Sequence, residues 1–206
     1  MIAIIDYDAG NIRSVEKALV HLGFETCLTR DHDRILNADH VILPGVGNFG
    51  DAMERLNQYG LIETIREVAD KGTPFLGICL GLQLLFEESE EAPGVPGLGI
   101  LAGSIRRIPA ADGLKIPHMG WNSLRLSNNG RLFRDVPDET YVYFVHSYYL
   151  DAEDKEIVKA STEYGVRIDA SVEQGNVFAC QFHPEKSSTM GLRMLSNFAS
   201  IGKEGV

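Results

Sequence analysis

The amino-acid sequence predicts an α/β protein with a mostly parallel central sheet flanked by helices and with additional antiparallel strands in the C-terminal half. In the first half, short apolar runs alternate with stretches whose apolar residues recur at helical spacing. These runs are almost continuously apolar, which is typical of parallel strands covered by helices on both faces. In the second half, strand-like runs follow one another before a final amphipathic stretch. We expect one domain over residues 1–206, since the 206 residues contain no repeat or long linker.

The predicted elements of the first half are strands, recognised as apolar runs, and helices, recognised by their period. Apolar Ile12, Val15 and Leu19 share one face of the first helix, which Gly23 terminates. In chain order we expect a strand at Ile2–Ile5, a helix at Asn11–Leu22, strands at Phe24–Leu28 and Val41–Leu43, helices at Asp51–Tyr59 and Leu61–Lys71, a strand at Pro74–Ile78 and a helix at Leu80–Glu87.

The second half is richer in β-type sequence. The stretches Glu88–Pro96 and Pro109–Pro117 are loop-like, and the chain between them is expected to fold back as antiparallel strands. The predicted strands are Ile100–Ile108, Trp121–Leu126, Tyr141–Leu150, Ile157–Ser161, Val166–Val172 and Val177–Phe182, and a closing helix covers Thr189–Ile201.

Composition and charge exclude several classes of function. With 19 Lys and Arg against 29 Asp and Glu, the net charge of −10 argues against nucleic acid as a partner. No apolar run approaches the roughly 20 residues that span a bilayer, so we expect no membrane association. The N-terminus lacks the basic region of a signal peptide. Three widely spaced cysteines, Cys27, Cys79 and Cys180, fit neither a disulfide scaffold nor a zinc site, and a reducing cytoplasm is expected.

A tight turn from strand to helix is predicted at Gly77-Ile78-Cys79-Leu80-Gly81. A nucleophile on such a turn requires small residues two positions away on either side, because the backbone is crowded there. The N-terminus of the following helix favours a thiolate at Cys79, and the amide of Leu80 would point toward an oxyanion on the substrate. By itself, the pentapeptide is equally consistent with a buried structural cysteine between packing glycines.

A base for this nucleophile is predicted at the end of the buried run Val177–Phe182. His183 follows that run directly, and Glu185 comes two residues later, after Pro184. A carboxylate can hold the far nitrogen of an imidazole and set its tautomer and orientation. A histidine at a strand end is more often polar surface, but beside the Cys79 turn the catalytic interpretation is favoured.

Glycines also follow the third strand, in the segment Pro44-Gly45-Val46-Gly47. Glycines let backbone amides approach a ligand closely, and one of these amides could complete an oxyanion hole with the amide of Leu80. Considered alone, the segment is more simply a turn that needs glycine for its backbone dihedrals.

Together these segments resemble the class I, or triad, glutamine amidotransferases. The resemblance rests on GICLGLQ at Gly77–Gln83, on QFHPEK at Gln181–Lys186 and on the PGVG segment, and it covers the chain in order from Ile2 to the last helix. Two further segments, KIPHMGWN at Lys115–Asn122 and YFVHSY at Tyr143–Tyr148, are similar to the glutaminase subunits of imidazole glycerol phosphate synthase, from histidine biosynthesis.

The resemblance implies hydrolysis of the side-chain amide of glutamine through a thioester on Cys79, without a cofactor or a metal. His183 would carry the proton and Glu185 would orient His183. An oxyanion hole would be formed by the amide of Leu80 and by the amides of the PGVG segment, for which the candidates are Val46 and Gly47.

The resemblance also implies contacts to the amino-acid end of glutamine. These are assigned to Gly45, Gln83, Ser147 and Tyr148. For Gln83, which lies one turn beyond Cys79, the structural alternative is an amide on the surface of the helix.

A partner is implied in the same way, because ammonia made by this subfamily passes to a (β/α)8 cyclase. The cyclase makes imidazole glycerol phosphate and an aminoimidazole carboxamide ribotide from a ribonucleotide precursor. No segment of cyclase length is present here, so we expect a heterodimer with a separate cyclase subunit. The candidates for the docking face or for its coupling to the site are Asn11, Trp121 and Lys186. Their structural alternatives are a helix N-cap, a core aromatic and a solvated cation.

The remaining cysteines and histidines are assigned structural roles. Cys180 shares a strand face with Phe182 and is expected to pack inward, and Cys27 has no ionisable residue near it in the pattern. The other histidines lack the spacing of metal ligands. His118 and His146 lie in the segments that resemble the family, and His21, His32 and His40 are assigned to the surface or to element ends.

Other functions remain open at the level of sequence. The same glutaminase could serve an aminobenzoate or pyridoxal phosphate synthase. A γ-glutamyl hydrolase or cysteine peptidase on the same fold would act without a partner, although Gln83 and the PGVG segment favour free glutamine. A non-catalytic interaction subunit is disfavoured, because Cys79, His183 and Glu185 are all intact.

Overall fold

The computed structural model of the chain describes residues 1–127 and 130–202. Its strands are, in chain order, β1 (Ile2–Ile5), β2 (Thr26–Thr29), β3 (His40–Gly45), β4 (Phe75–Cys79), β5 (Glu88–Ser89), β6 (Gly103–Arg107), β7 (His118–Ser123), β8 (Arg125–Leu126), β9 (Tyr141–His146), β10 (Tyr148–Ala152), β11 (Val158–Glu163), β12 (Arg167–Gln174) and β13 (Val177–Cys180). Its α-helices are α1 (Ile12–His21), α2 (His32–Leu36), α3 (Phe49–Gln58), α4 (Leu61–Asp70), α5 (Leu80–Leu84) and α6 (Ser188–Ala199).

The central sheet has eight strands in the order β2-β1-β3-β4-β13-β12-β11-β8. The strands from β2 to β13 pair in parallel, and the remaining three pair antiparallel. The predicted α/β architecture with added antiparallel strands is therefore confirmed. Functional sites in such sheets form at the carboxyl ends of the parallel strands, and here Gly45 at the end of β3 pairs with Cys79 at the end of β4.

Helices cover both faces of the parallel strands, and the alternation of side chains along β1 shows how. Ala3 and Ile5 pack into one apolar cluster with α3, α4 and α5, whereas Ile2 and Ile4 pack into a second cluster with α1 and α6. All four side chains are essentially inaccessible to solvent. Two buried faces explain why these strands are continuously apolar in sequence.

The single strand that we predicted at Tyr141–Leu150 is in fact two strands, β9 and β10, which belong to two different small sheets. The prediction is therefore wrong at its centre, where the two strands meet. The chain leaves the two-stranded β7–β9 ribbon after His146 and enters the β10-β6-β5 sheet at Tyr148. Between them lies Ser147, whose carbonyl accepts a hydrogen bond from the amide of Ile108 at 3.0 Å. An apolar run cannot reveal such a change of partner, because both halves remain extended.

Three local features also differ from prediction. The short helix α2, capped by the Asp31 carboxylate at 2.9 Å from the Arg34 amide, is too brief to show a helical period. The helix after Cys79 ends at Leu84 and not at Glu87, because the Leu84 carbonyl accepts from the Leu98 amide of a returning segment. That segment follows β5, a two-residue strand within the stretch predicted as loop.

Within residues 1–127 and 130–202, no helix combines the length and the apolar character needed to cross a membrane.

Candidate active site

Cys79 lies on a strained turn between β4 and α5, with φ 55° and ψ −109°. The prediction that small residues are required two positions away on either side is confirmed. A Cβ atom on Gly81 would lie 1.9 Å from the Leu43 carbonyl oxygen, and one on Gly77 would lie 2.7 Å from the Gly81 carbonyl oxygen. Strain of this kind is found where a fold holds a reactive side chain in place.

His183 and Glu185 form a buried pair beyond the end of β13. The Nδ1 atom of His183 lies 2.8 Å from Oε1 of Glu185, and the two side chains are 1% and 0% exposed. The backbone of His183 is fixed on both sides. Its amide donates to the Tyr143 carbonyl of β9 at 2.9 Å, and its carbonyl accepts from the Ser187 hydroxyl at 2.6 Å.

The surroundings of His183 favour the imidazolium form. Burial alone lowers the pKa of His183, but interactions with the neighbouring Cys79 and Glu185 outweigh burial and raise it to about 9. The second ring nitrogen, Nε2, has no conventional hydrogen bond within the described parts of the chain, and neither has Oε2 of Glu185. An imidazolium beside a thiol stabilises the thiolate, which is the reactive form.

Asn11, a candidate for the docking face or for its coupling to the site, contacts Glu185 directly. Its Nδ2 atom donates to Oε1 of Glu185 at 2.7 Å. The backbone of Asn11 is left-handed, with φ 68°, and its side chain does not cap α1. Asn11 thus occupies the N-cap position of α1, but its side chain makes no capping hydrogen bond there. Asn11 instead joins the half-buried loop between β1 and α1 to the carboxylate that holds His183.

A pocket of about 260 Å³ opens beside Cys79, smaller than the roughly 300–1,000 Å³ of sites for drug-sized ligands. It therefore suits a small metabolite. Its lining includes most of the predicted binding residues and four that were not predicted: Val46, Gly47, Cys79, Leu80, Gln83, Glu91, Pro117, Val145, His146, Ser147 and Tyr148.

Gly45, which was predicted to contact substrate, is not among the residues that line this pocket. It lies beneath them, and a Cβ atom there would be 2.6 Å from the Tyr7 hydroxyl and 2.9 Å from the Leu80 side chain. Because Gly45 has no side chain, β3 can approach the Cys79 turn closely.

Gln83 is 4% exposed and points into the pocket wall, so the alternative of a surface amide is wrong. Its Nε2 atom donates to the Tyr148 carbonyl at 3.1 Å and to Oε1 of Gln181 at 3.0 Å. Gln83 therefore connects the wall formed by β10 with the segment that carries His183.

Glu91 is a pocket residue that sequence reasoning missed. Its carboxylate accepts from the Phe49 amide at 2.8 Å, where α3 begins. Burial raises the pKa of Glu91, and this hydrogen bond acts in the opposite direction. No local pattern distinguishes Glu91 within a loop that contains several acidic residues, so only the folded chain brings it to the site.

Two histidines on the β7–β9 ribbon form a buried neutral pair. Nδ1 of His118 lies 3.0 Å from Nε2 of His146, whose Nδ1 lies 2.9 Å from the Tyr148 carbonyl oxygen. Burial lowers the pKa of His118 to about 4, and burial with nearby His118 lowers that of His146 to about 3. The described residues contain no group of three or more His, Cys, Asp or Glu arranged to hold a metal ion.

The other cysteines and His40 differ in how well they were predicted. Cys180 is buried and packs with Phe182 in one apolar cluster, as predicted. Cys27 has an ionisable neighbour after all, since an Nη1 atom of Arg34 lies 3.4 Å from its sulfur. His40 begins β3, as an element-end residue, and it is buried, with Nε2 at 2.9 Å from the Ile201 carbonyl oxygen.

The other two docking candidates lie on one surface around Tyr143. The Trp121 ring is edge-on to the Tyr143 ring at 6.2 Å, and Nζ of Lys186 lies 5.9 Å from the same ring. Trp121 is 52% exposed, so the alternative of a core aromatic is wrong. Met119 and Tyr141, exposed on the same face of the ribbon, were not predicted.

Solved structures share this fold. A structure described as "Crystal structure of glutamine amidotransferase" superposes with a TM-score of 0.75 at 23% identity, covering 97% of this chain and 98% of that one. The glutaminase domain of Trypanosoma brucei CTPS with bound acivicin has a TM-score of 0.67 at 16% identity, covering 97% and 93% of the two chains.

Sequence comparison gives closer relatives. "Imidazole glycerol phosphate synthase subunit HisH" of Moorella thermoacetica is 54% identical over 97% of this chain and 94% of its own length. The subunit of the same name from Caldanaerobacter subterraneus subsp. tengcongensis is 49% identical over 98% and 99%. Residues 3–201 match the family "Glutamine amidotransferase class-I". The chain belongs to the class-I glutamine amidotransferase family and, within it, to the family of imidazole glycerol phosphate synthase subunit HisH.

Proposed function

We propose that this chain hydrolyses glutamine and passes the ammonia to a separate (β/α)8 cyclase that makes imidazole glycerol phosphate and aminoimidazole carboxamide ribotide in histidine biosynthesis. The observation that carries the proposal is the buried His183–Glu185 pair, 2.8 Å apart, behind a Cys79 that opens into a small pocket. The kinship with HisH subunits supports the choice of acceptor.

The reaction proceeds through a thioester. The sulfur of Cys79 attacks the amide carbon of the glutamine side chain, and the carbon–nitrogen bond breaks. His183 delivers a proton to the departing nitrogen, which leaves as ammonia. Water then adds to the thioester carbon while His183 takes one of its protons, and cleavage of the carbon–sulfur bond releases glutamate and restores Cys79. Glu185 holds the imidazole in the required tautomer throughout.

Negative charge on the substrate oxygen is stabilised by backbone amides. The Leu80 amide, at the start of α5, is one donor, and the amides of Val46 and Gly47 supply the other. Gly47 has φ 103°, a conformation that glycine adopts without strain, so the segment can present its amides to the pocket.

The amino-acid end of glutamine is bound on the opposite side of the pocket. Gln83, Ser147 and Tyr148 line that wall. Glu91 adds a carboxylate there, and we assign it to the substrate ammonium, since a buried carboxylate is stabilised by an opposite charge. The substrate thereby supplies the cation that Glu91 otherwise lacks in this pocket.

The cyclase docks on the exposed face around Trp121, Tyr143 and Lys186. This face continues along β9 to Val145, which lines the pocket. The carbonyl oxygen of Val145 lies 4.0 Å from the sulfur of Cys79. Asn11 is half-buried and donates to Glu185, whose neighbour in sequence is Lys186, and we assign Asn11 to the coupling between this face and the triad. We place the heterodimer in the cytoplasm and regard residues 1–206 as one domain without a metal or cofactor.

The role of Cys79 is tested by Cys79→Ala in the complex with cyclase. We expect glutamine-dependent synthesis to be lost and synthesis from added ammonium salt to persist, because only the source of ammonia is removed. Product formation from each nitrogen source is followed with the same cyclase preparation. Retention of glutamine-dependent synthesis would refute the proposal, whereas loss of both activities would indicate failed assembly.

The docking face is tested by Trp121→Ala and Lys186→Ala, with Val20→Ala as control. Val20 is apolar, 56% exposed and close to the C-terminal end of α1. It therefore matches Trp121 in exposure but does not belong to the docking face. We expect weaker binding of cyclase and weaker activation by cyclase for the first two variants, and unchanged behaviour for the third. Equal affinity for all three would remove this face from the interface.

A further inference from the structure

A buried amide stands between the proposed nucleophile and the proposed substrate-binding glutamine. Gln181 lies one residue beyond β13 and two before His183, and it is 0% exposed. Its Nε2 atom is 3.8 Å from the sulfur of Cys79, within range of an N–H···S hydrogen bond, and its Oε1 atom is 3.0 Å from Nε2 of Gln83. The backbone amide of Gln181 donates to the Ala170 carbonyl at 2.8 Å, which fixes the backbone at this residue.

The orientation of both amides follows from a backbone carbonyl. The Tyr148 carbonyl can only accept, and it lies 3.1 Å from Gln83, so Gln83 must present its nitrogen there. The second hydrogen of that nitrogen meets the oxygen of Gln181, and the nitrogen of Gln181 is thereby directed at Cys79. Reversing Gln181 would place two donors face to face in a site without solvent, which is unfavourable.

The surroundings of the sulfur give this donor a function. The Val145 carbonyl, 4.0 Å from the sulfur, accepts from a thiol and repels a thiolate. The buried side chain of Gln181 offers the opposite, a donor that interacts more strongly with the anion than with the neutral thiol. A merely space-filling residue at this position would not need its nitrogen turned toward Cys79.

We propose that Gln181 is a catalytic residue that donates a hydrogen bond to the Cys79 thiolate, and that Gln83 holds Gln181 in this orientation. The inference rests on the proposed function, in which Cys79 is the nucleophile. Gln83 then has two roles, since it lines the glutamine pocket and also sets the donor at the sulfur.

The test is the rate at which iodoacetamide alkylates Cys79, measured against pH on the full chain without glutamine and resolved from Cys27 by peptide mass spectrometry. Gln181→Met keeps the side-chain length and removes the donor, and we expect about tenfold slower alkylation at pH 7 with the half-maximal rate shifted upward by about one pH unit. Gln181→Glu adds negative charge near the sulfur and should slow alkylation further. Gln83→Met should give a smaller shift in the same direction, because it leaves the donor but frees its orientation.

Asn197→Leu is the matched control. It removes another buried amide, bonded to the Leu132 carbonyl at 2.9 Å on the far side of α6, and should leave the alkylation profile unchanged even if it lowers thermal stability. Wild-type profiles in a folded Gln181→Met chain would overturn the proposal. If that variant does not fold, an unchanged profile in Gln83→Met does so. Failure of wild-type Cys79 to react ahead of Cys27 would instead count against the proposed function itself.

Discussion

His183 and His146 are both buried beside the same pocket, yet their pKa values lie on opposite sides of the ordinary value, at about 9 and about 3. Burial lowers both values. For His183, interactions with Cys79 and Glu185 outweigh this effect. Among the described residues, the hydrogen-bond partners of His146 are the Tyr148 carbonyl and neutral His118.

The comparison shows that an acid–base histidine is defined by its partner and not by its burial. His146 remains neutral and acts as a fixed donor, which helps to hold the Tyr148 carbonyl for Gln83. His183 has a raised pKa, and in the proposed mechanism it supplies the proton to the departing nitrogen. The same side chain thus gives rigidity in one place and chemistry in another.

The largest effect is expected from removing the negative charge of Glu185, which distinguishes the surroundings of His183 from those of His146. Glu185→Gln keeps the shape of the side chain but no longer stabilises the imidazolium, and the kcat for glutamate release should fall about 10³-fold or more. Steady-state kinetics with saturating glutamine and cyclase measure this change. Glu163→Gln, at an exposed position of β11, is the control and should be neutral. A loss of less than about fivefold in Glu185→Gln would contradict the role of the pair.

The second prediction concerns the pH dependence of the free energy of unfolding. Because folding raises the pKa of His183, its contribution to stability is full below about pH 6.5 and is lost as pH rises toward 9. Folding lowers the pKa of His146, so stability is lost as pH falls from about 6.5 toward 3. Each limb has a limiting slope of about 1.4 kcal/mol per pH unit and per proton.

Urea unfolding at a series of pH values separates the two histidines. His183→Gln should reduce the slope of the alkaline limb alone. His146→Gln should reduce the slope of the acid limb alone and leave the part due to His118, whose pKa folding lowers to about 4. The claim that the two side chains titrate in opposite directions would be wrong if either substitution changed the slope of both limbs, or if it changed the slope of neither limb.

A smaller effect is expected at Asn11, the second donor to Oε1 of Glu185. Asn11→Ala removes one hydrogen bond to a carboxylate, for which about 1.5 kcal/mol, or about tenfold in kcat/KM, is expected. Asn37→Ala, which removes an exposed amide bonded to the Asp33 carbonyl, is the control. An effect on cyclase affinity with unchanged turnover of the bound complex would make Asn11 a docking residue only.

The Cys79 turn could be predicted from sequence because its demands are local. Gly77 and Gly81 flank the cysteine at fixed positions, and the backbone crowding that requires them arises within a few residues and one neighbouring strand. The alternation of apolar runs and helical periods likewise predicted the order of the strands and helices of the central sheet. His183 could be assigned because a strand end and a nearby carboxylate are also visible in a short segment.

Contacts between residues that are far apart in the sequence escaped prediction, although Gln83 itself was predicted to bind substrate. Gln181 lies 102 residues from Cys79, and Gln83 lies 65 residues from the Tyr148 carbonyl that orients it. Glu91 belongs to a loop without a motif, and the exchange of sheets at Ser147 leaves no trace in an apolar run. These positions depend on pairing between elements, which periodicity does not encode.

The measurement that tests the central claim most directly is glutamate release from glutamine, first by this chain alone and then with a histidine-pathway cyclase and its ribonucleotide ligand. We predict a large increase on addition of both. Equal rates with and without the cyclase would retain a glutaminase but assign it another acceptor. Absence of glutamate in both cases, while Cys79 still reacts with iodoacetamide, would contradict the glutaminase mechanism and favour a hydrolase of another γ-glutamyl or peptide substrate.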